Sequence, residues 1–233
     1  PPRQGSVAIV AAGTSDLRVA KEAERTLLFS GIAVELVVDV GVAGIHRLLK
    51  RIDDVRRHDI VIVVAGMDAA LASVMGGLVA QPVIGVPTSV GYGVAHGGGT
   101  ALNAMLASCG QGVSVTNIDN GFSAGFAACQ VVRAVREAAR YYARSRPIIE
   151  KAFGRDHPQT SGVINNQGEV LWKLKRYAEA EPLLRQALAI KERVYTPQHA
   201  SIGISLNGLA GVLRDSGRPS EAEPLYQRAL VIR

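Results

Sequence analysis

The feature that most constrains this chain is a change of sequence pattern near residue 147. Before it, short runs rich in valine, isoleucine and alanine alternate with amphipathic stretches, and glycine-rich loops separate them. After it, helical sequence recurs at a fixed offset of 42 residues, as His157 and His199 or Asn165 and Asn207 illustrate. Two modules are therefore joined, and we place them at residues 1–146 and 147–233.

The first module has the pattern of an α/β fold. Its apolar runs are nearly continuous, which is typical of parallel strands that are covered on both faces. The predicted strands are Ser6–Ala12, Ala33–Val40, Asp59–Ala65, Pro82–Val86 and Gly112–Ile118. The predicted helices are Asp16–Ser30, Ile45–Arg57, Ala69–Val79 and Thr100–Ser108, with a long helix from Phe122. This order predicts a three-layer sandwich around a five-stranded parallel sheet.

The composition narrows the class of protein. With 233 residues, 48% of them hydrophobic, the chain can bury one substantial core and a smaller second one. No apolar run reaches the roughly 18 residues of a membrane span, and no secretory leader is visible, so we expect a cytoplasmic protein without a membrane partner. Cys109 and Cys129 are expected to be free thiols. The first residue is Pro1 rather than Met, and we expect a fragment or a processed chain.

The net charge of +6 is shared equally by the two modules. The densest basic stretch, Arg133 to Arg146, is interleaved with alanine and tyrosine along a predicted helix. Such a stretch is more typical of a solvated helix face than of a nucleic-acid contact. We therefore expect no nucleic-acid partner.

Polar or glycine-rich sequence follows all five predicted strands. In a parallel α/β sheet, ligands bind beyond the carboxyl ends of the strands, so these loops form the expected binding edge. After the first strand, Gly13 allows a tight turn, and Thr14, Ser15 and Asp16 stand at the start of the next helix, where free amides suit a phosphate. The alternative is that Ser15 or Asp16 only caps that helix.

The remaining loops supply titratable and flexible residues. His46 and Arg47 follow the second strand, where His46 is either a proton shuttle or a polar residue at a helix start. Asp68 follows the third strand. The segment Gly91–Gly99 contains five glycines and predicts a lid or binding loop. The sequence Asn117–Gly121 suits either ligand binding or plain turn chemistry.

Several segments of the first module closely resemble the LarB family, in family order. They are Gly13–Asp16, Asp39–Arg47, Val64–Leu71, Pro87–Gly93, and Ser108-Cys109 followed by Asn117–Phe122. The resemblance covers about residues 5–133. LarB proteins are relatives of PurE, the aminoimidazole ribonucleotide carboxylase/mutase, so the resemblance implies a PurE-like, flavodoxin-like domain.

The resemblance implies a carboxylase/hydrolase. The implied reaction is carboxylation of the pyridinium ring of nicotinic acid adenine dinucleotide with hydrolysis of its phosphoanhydride. Its product, pyridinium-3,5-biscarboxylic acid mononucleotide, begins the synthesis of a nickel-pincer cofactor. Carbon dioxide or bicarbonate is the implied co-substrate, no cofactor is permanently bound, and Mg²⁺ is left open. No compact cluster of metal-ligand residues is visible, so no metal site is predicted.

The resemblance also assigns roles to residues. It implies that Cys109 attacks the electron-poor pyridinium, which turns the ring into an enamine-like nucleophile for carbon dioxide. Asp68 and His46 are the other implied catalytic residues. Asp68 stands where the family tends to carry glutamate, and the loop at His96 differs from the bulkier family sequence. The implied substrate-binding residues are Gly13, Thr14, Ser15, Asp16, Arg47, Ser89, Gly91, Tyr92, Asn117, Asp119 and Asn120.

The position of Cys109 leaves two arrangements open. A free cysteine is commonly a buried small hydrophobe, and Cys129 is expected to be one. Cys109 precedes the fifth strand and so belongs at the amino edge of the sheet, opposite the glycine-rich loops. Either its helix end reaches around, or Cys109 completes the site of a neighbouring subunit. We predict the second, a homo-oligomer with shared sites.

The second module contains about two copies of the 42-residue unit, each with two helices. The segment Glu179–Leu188 and its copy resemble the kinesin-light-chain type of tetratricopeptide repeat, over about residues 148–233. Such repeats imply a peptide or protein partner. We expect the helix from Phe122 to support the array, with a kink or interruption at Pro147. The candidate contact residues are Asn165, Asn166, Lys173, Asn207 and Arg214.

Two alternative functions stay open. One is PurE-like carboxylation of an imidazole ribonucleotide. The sequence Gly44-Ile45-His46-Arg47 argues against it, because PurE carries Ser-Ala-His-Arg at this place. The other is a non-catalytic adaptor, in which the α/β module only oligomerises and the repeats bind a partner.

Overall fold

The computed structural model describes residues 5–232. Its contacts divide the chain into two compact units, unit 1 ending at Val132 and unit 2 beginning at Arg133. The division falls inside a single long helix, as does the predicted module boundary between residues 146 and 147. Within residues 5–232, each helix is too short or too polar to serve as a membrane span.

Unit 1 is built around a five-stranded parallel sheet. The strands are β1 Ser6–Ala11, β2 Ala33–Val37, β3 Ile60–Ala65, β4 Val83–Pro87 and β5 Val113–Val115. The helices are α1 Leu17–Phe29, α2 Ile45–Leu49, α3 Ile52–Arg56, α4 Leu71–Leu78, α5 Gly99–Leu106 and the first part of α6 Gly121–Phe153. The strand order β2-β1-β3-β4-β5, with every pair parallel, confirms the predicted flavodoxin-like α/β fold.

The sheet buries both of its faces. Along β1, Val7, Ile9 and Ala11 join one apolar cluster, whereas Ala8 and Val10 join the other, as the two-residue period of a strand requires. The first cluster includes residues of α1 and α6, and the second includes residues of α2 to α5. This double coverage explains the continuous apolar strands of the sequence and leaves the strand ends as the place for polar residues.

The predicted helix Ile45–Arg57 is wrong, because the structure contains two short helices, α2 and α3, in its place. Leu48, Ile52 and Val55 are buried at helical spacing, which is why the sequence pattern looks continuous. The break comes at Lys50 and Arg51. The Arg51 guanidinium donates to Glu35 at 2.6 Å and to Asp54 at 2.9 Å, and these contacts hold the turn.

Unit 2 consists of helices arranged in a repeat. The rest of α6 is followed by α7 Pro158–Lys173, α8 Tyr177–Val194, α9 Ala200–Asp215 and α10 Pro219–Val231. Phe153 stacks on His157 with ring centroids 4.9 Å apart, and Tyr195 stacks on His199 at 4.0 Å. Each histidine also caps the helix that follows it by accepting a backbone N–H at 3.2 Å. The end of α6 therefore repeats the end of α8, so the array begins before α7.

The predicted interruption at Pro147 is not found, because α6 continues through this residue to Phe153. Proline removes one backbone donor from a helix and weakens the local turn. Next to it, Arg146 donates to Glu150 at 2.6 Å and to Gln186 of α8 at 3.1 Å. These contacts stabilise the turn that Pro147 weakens.

Candidate functional site

A buried carboxylate links two loops at the carboxyl edge of the sheet. Asp16, in the turn between β1 and α1, is 3% exposed, and Thr88, directly after β4, is fully buried. The Thr88 hydroxyl donates to Asp16 Oδ1 at 2.7 Å, and the backbone N–H of Gly13 donates to Asp16 Oδ2 at 2.9 Å. Both carboxylate oxygens therefore hold the turn in place, and Thr14 and Ser15 are its exposed members.

The loop after β3 lies against the loop after β4. Gly66 is so close to the carbonyl oxygen of Val90 and to the hydroxyl of Thr88 that a Cβ at this position would overlap both. The N–H of Met67 donates to the same Val90 carbonyl at 3.0 Å. The close approach of these two backbones therefore requires glycine at residue 66.

Asp119 joins the loop after β5 to the loop after β4. Its Oδ1 accepts the N–H of Ser89 at 2.9 Å, and its own N–H donates to the carbonyl of Pro87 at 2.8 Å. Arg18 approaches Asp119 Oδ2 at 3.6 Å, an exposed pair of the kind that adds little stability. The sequence motif around Asp119 thus sets the shape of the edge.

The two asparagines of the same motif each have their side-chain oxygen engaged. Asn117 Oδ1 accepts the N–H of Ile118 at 2.8 Å. Asn120 Oδ1 accepts the N–H of Ser123 at 2.9 Å and so caps the start of α6. These contacts are the turn and capping chemistry that the sequence left open as an alternative.

Strained backbone is concentrated in these loops. Among residues 5–232, five non-glycine residues have a positive φ, and four of them follow strands β2, β3 and β5. The four are Asp39 (60°), Met67 (58°), Ala69 (53°) and Asp119 (57°). Strain of this kind clusters at ligand-binding loops, so its position supports the carboxyl edge as the functional site.

Exposed polar side chains surround this framework. His46 and Arg47 lie exposed in the first turn of α2, and Arg47 donates to Asp39 at 3.3 Å. Asp68 is exposed after β3, and its Oδ1 accepts the N–H of Ala70 at 3.3 Å. The other predicted site residues with exposed side chains are Thr14, Ser15, Ser89, Tyr92 and Asn117. The topology therefore brings an imidazole, a guanidinium and a carboxylate to one edge.

The glycine-rich segment after β4 has a defined conformation. It forms a 3-10 turn over Gly93–Gly98 and ends at Gly98, which has a φ of 83°. The Thr100 hydroxyl donates to the carbonyl of Val94 at 2.8 Å and closes the turn. The side chains of Tyr92 and Val94 are 76% and 97% exposed. The predicted lid therefore presents two apolar side chains to solvent.

Cys109 lies apart from these loops. It is exposed in the segment between α5 and β5, which joins the sheet at its amino edge, where the N–H of Val83 donates to the carbonyl of Gly112 at 3.0 Å. The neighbouring Ser108 hydroxyl accepts from Ser73, on the first turn of α4, at 2.8 Å. The segment thus contacts α4, the helix that follows the Asp68 loop.

The surroundings of the two cysteines differ. A surface pocket of about 360 Å³ adjoins the Cys109 segment at Gln111 and Gly112. Cys129, on α6, is fully buried in the core of unit 1, as predicted for a small hydrophobe. Cys109 is consequently the thiol that a ligand can reach.

No three His, Cys, Asp or Glu side chains among residues 5–232 come together as a metal site. Mg²⁺ in proteins commonly takes only one or two carboxylates and completes its shell with waters and substrate phosphates. No step of the reaction proposed below is assigned to a divalent cation.

A buried amine links three helices of unit 2. Lys191 of α8 is 6% exposed, and its Nζ donates to Ser205 Oγ at 2.7 Å, to the carbonyl of Ser201 at 3.2 Å and to Asn165 Oδ1 at 3.5 Å. Ser205 and Asn165 are themselves bonded at 2.6 Å, and Asn165 donates to Glu169 at 2.6 Å. Burial lowers the pKa of Lys191, and the carboxylate of Glu169 opposes that shift.

This network corrects one of the predicted partner contacts. Asn165 is 3% exposed and its side chain is engaged inside the array, so it is a structural residue. The repeat pattern predicts the same exposure for Asn165 and Asn207, because they occupy the same repeat position. In the structure only Asn207 of this pair is exposed. The other candidates, Asn166, Lys173 and Arg214, are exposed.

Two residues that organise these regions are missed by sequence reasoning. Thr88 has a detectable signal, since it is the first polar residue after a fully apolar strand. Lys191 also has one, because it lies seven residues after the buried Leu184 and so falls on the apolar stripe of α8. In neither case does the signal identify the partner.

Comparison with known proteins agrees with this organisation. Residues 6–145 match the family model for AIR carboxylase, and residues 160–233 match the family model for the tetratricopeptide repeat. The parallel α/β sheet with its polar carboxyl edge is thus that of a carboxylase-type domain, joined to a helical repeat. The first match covers more than half of the chain, and the chain belongs to the AIR carboxylase family.

Two proteins of Methanocaldococcus jannaschii are similar to part of this chain. Uncharacterized protein MJ0165 is 50% identical over 123 residues, which is 52% of this chain and 47% of that protein. The N5-carboxyaminoimidazole ribonucleotide mutase is 29% identical over 133 residues, which is 54% of this chain and 78% of the mutase. The chain therefore spans about half the length of the first relative and more than three quarters of the second.

Proposed function

We propose that this chain carboxylates the pyridinium ring of nicotinic acid adenine dinucleotide and hydrolyses its phosphoanhydride. The product would be pyridinium-3,5-biscarboxylic acid mononucleotide, the LarB-type product. The observation that carries the proposal is the exposed thiol of Cys109 within a domain of the AIR carboxylase family. The motif Asn117–Phe122 and the loop that contains His46 add to the LarB resemblance.

The two relatives favour a substrate other than that of the mutase. Both come from one organism, and this chain is 50% identical to one of them but only 29% identical to the mutase. A chain with the mutase activity is expected to resemble the mutase more closely. The difference supports membership of a separate branch of the family.

In the proposed reaction, the Cys109 thiolate adds to an electron-poor carbon of the pyridinium, forms a C–S bond and moves an electron pair into the ring. The ring then attacks carbon dioxide through C5 and forms a C–C bond. Loss of the C5 proton to a base and departure of the thiolate restore the aromatic ring, which now carries a second carboxylate. His46 and Asp68 are the proposed proton-transfer residues. Addition of water to the phosphoanhydride releases adenosine monophosphate.

The carboxyl edge would bind the dinucleotide. Thr14 and Ser15 are exposed in the turn that leads into α1, where backbone N–H groups suit a phosphate. Arg47 would pair with the nicotinate carboxylate, because a guanidinium matches a carboxylate with two parallel hydrogen bonds. Asp16 would hold the phosphate turn in shape through its contacts to Gly13 and Thr88.

The site would be shared between subunits of a homo-oligomer. Cys109 belongs to the segment that enters the amino edge, whereas His46 follows β2 at the carboxyl edge. In this arrangement Cys109 of one subunit completes the site of another. Mixing inactive Cys109→Ala subunits with inactive His46→Ala subunits would then restore part of the activity. Absence of recovery in assembled mixtures would argue for a site within one subunit.

The decisive experiment is intact mass spectrometry after incubation with the dinucleotide. A thiol adduct that maps to Cys109, and that is absent in Cys109→Ala, is the expected result. Cys129→Ala is the matched control and should retain both the adduct and turnover, because Cys129 is fully buried. Unchanged bicarbonate-dependent turnover in Cys109→Ala would rule out the covalent mechanism.

PurE-like mutase activity is the second candidate, and the 29% identity to the N5-carboxyaminoimidazole ribonucleotide mutase favours it. It predicts conversion of that ribonucleotide with no dependence on Cys109. A chain that neither converts nor binds either nucleotide would instead be the non-catalytic oligomeric adaptor. In all three cases the repeats of unit 2 are proposed to bind a peptide or protein partner, in agreement with their family match.

A further inference from the structure

We propose that one face of α6 binds an acidic amphipathic helix of a partner protein. The α6 basic face consists of a row of four cations with two apolar side chains beside it. Its members are Arg133, Arg140, Arg144 and Lys151, with Tyr141 and Ile148. All six belong to unit 2, and none is assigned to the proposed reaction.

The four cations form a narrow row. At 3.6 residues per turn they fall within about 40° around the helix axis, and from Arg133 to Lys151 the row spans about 27 Å. All four side chains are exposed. Glu137 is the acidic residue of α6 that shares this face, so the face keeps a clear excess of positive charge.

The row differs from most of the other arginines of unit 2. Six arginines near or within α8 to α10 each have a carboxylate within 2.5–2.8 Å. They are Arg176, Arg185, Arg193, Arg214, Arg218 and Arg228. Among residues 5–232, no ion pair is formed by Arg133, Arg140, Arg144 or Lys151. Unit 2 therefore neutralises many of its arginines internally and leaves this row without carboxylates.

Packing of unit 2 does not use this face. The buried side of the same stretch contains Ala139, and Arg146 contacts Gln186 of α8. These two residues lie about 120–140° around the axis from the row. The α6 basic face is accordingly available on the side of the helix that points away from α8.

The apolar residues identify the kind of partner. Tyr141 and Ile148 are both 68% exposed and are separated by seven residues, so they form a second, shorter row beside the cations. A helix with carboxylates at i, i+4 spacing and apolar residues at i, i+7 would match both rows at once. A membrane-bound helix needs a broader apolar face than two side chains. A nucleic acid binds mainly through its phosphates, which the aliphatic side chain of Ile148 would not contact.

The test measures binding of a defined probe to the full chain. The probe is a fluorescent helix-forming peptide of 18 residues with glutamates at i, i+4 spacing and leucines at i, i+7 spacing. The triple variant Arg133→Gln/Arg140→Gln/Arg144→Gln should weaken binding roughly tenfold, the size expected for three exposed ion pairs. Tyr141→Ser/Ile148→Ser should weaken it by a similar factor.

The matched control removes the same charge elsewhere. Arg25, Lys50 and Arg57 are exposed cations of unit 1, and their triple change to Gln should leave peptide affinity within about twofold. An equal loss in both triple variants would show that only net charge matters and would overturn the proposal. Tighter binding of an oligothymidylate or of anionic vesicles, with no effect of Tyr141→Ser/Ile148→Ser, would overturn it in favour of a general polyanion surface. Trp172 fluorescence would confirm that unit 2 of each variant is folded, and far-ultraviolet circular dichroism would do the same for the whole chain.

Discussion

The two units use buried polar groups in different ways. In unit 1, Asp16 and Thr88 connect the loops after β1 and β4, and strained residues such as Met67 stand in other loops of the same edge. In unit 2, Lys191 and Asn165 connect helices, and Lys175 is the one non-glycine residue with a positive φ among the described residues of that unit. The difference is that the polar groups of unit 1 shape a strained edge built from loops, whereas those of unit 2 join helices to one another.

Substitution of Gly66, where two backbones approach closely, is expected to have the largest effect on the stability of unit 1. In Gly66→Ala the new methyl group would overlap the Val90 carbonyl and the Thr88 hydroxyl, so the two loops must separate. We expect unit 1 to lose about 3 kcal/mol of its free energy of unfolding, and dinucleotide binding to be lost. Gly77→Ala is the control, since open space surrounds residue 77 on α4 and the change should stabilise the helix by about 0.5–1 kcal/mol. Urea unfolding followed by circular dichroism measures both, and equal effects would contradict the close approach.

Removal of the Thr88 hydroxyl is expected to have the next largest effect on the free energy of unfolding. Thr88→Val keeps the shape of the side chain but removes the donor to the buried Asp16 carboxylate. The expected loss is about 2 kcal/mol, because a buried charged acceptor is left with one partner fewer. Thr88→Ser retains the hydroxyl and should recover most of this stability. Similar unfolding midpoints for the Val and Ser variants would show that the hydrogen bond does not hold the edge together.

The lowered pKa of Lys191 predicts a dependence on pH in unit 2. Between that lowered value and the unfolded pKa of about 10.4, the unfolded chain binds more protons than the folded one. The free energy of unfolding should therefore rise as the pH rises through this window, by at most about 1.4 kcal/mol per pH unit. Lys191→Met removes this contribution. Trp172 is the single tryptophan of the chain and reports unfolding of unit 2. Parallel pH profiles for the two proteins would contradict the proposed burial of a charged amine.

Removal of the positive-φ strain is expected to change the free energy of unfolding least, but it compares the two units most directly. Met67 has a φ of 58° and Lys175 a φ of 57°. Replacement of either by glycine relieves backbone strain, and partial cancellation by the entropy of the unfolded chain should keep the gain within about 1 kcal/mol. Met67→Gly should also weaken dinucleotide binding because it loosens the edge, whereas Lys175→Gly should not. Unchanged binding in Met67→Gly would mean that strain in unit 1 has no functional role.

Much of the fold could be predicted from local pattern. The apolar strands and the glycine-rich loops at their ends predict the parallel sheet and its binding edge, and the recurrence of His157 at His199 predicts the repeat. The break between α2 and α3 could not be predicted, because Leu48, Ile52 and Val55 keep helical spacing across it. The break coincides with the contact of Arg51 with a carboxylate on β2, and a contact between distant segments leaves no periodic signal.

The sequence predicts which types of residue lie at the site but not which contacts they form. Asp16 follows a strand and begins a helix, which suits a ligand contact and a structural contact equally well. The same holds for Asn165 and Asn207, which share a repeat position but differ in burial.

The sequence by itself determined the class of each unit and the edge on which polar residues gather, since these follow from periodicity and from the strand–loop–helix order. Only the tertiary structure decided which of those residues are engaged inside the protein, which are exposed, and that Cys109 stands beside α4 rather than among the other loops. The physical reason is that hydrogen-bond partners and burial depend on segments that lie far apart in the chain. Thr88 donates a hydrogen bond to Asp16, which lies 72 residues away in the chain, and no local sequence pattern indicates that contact.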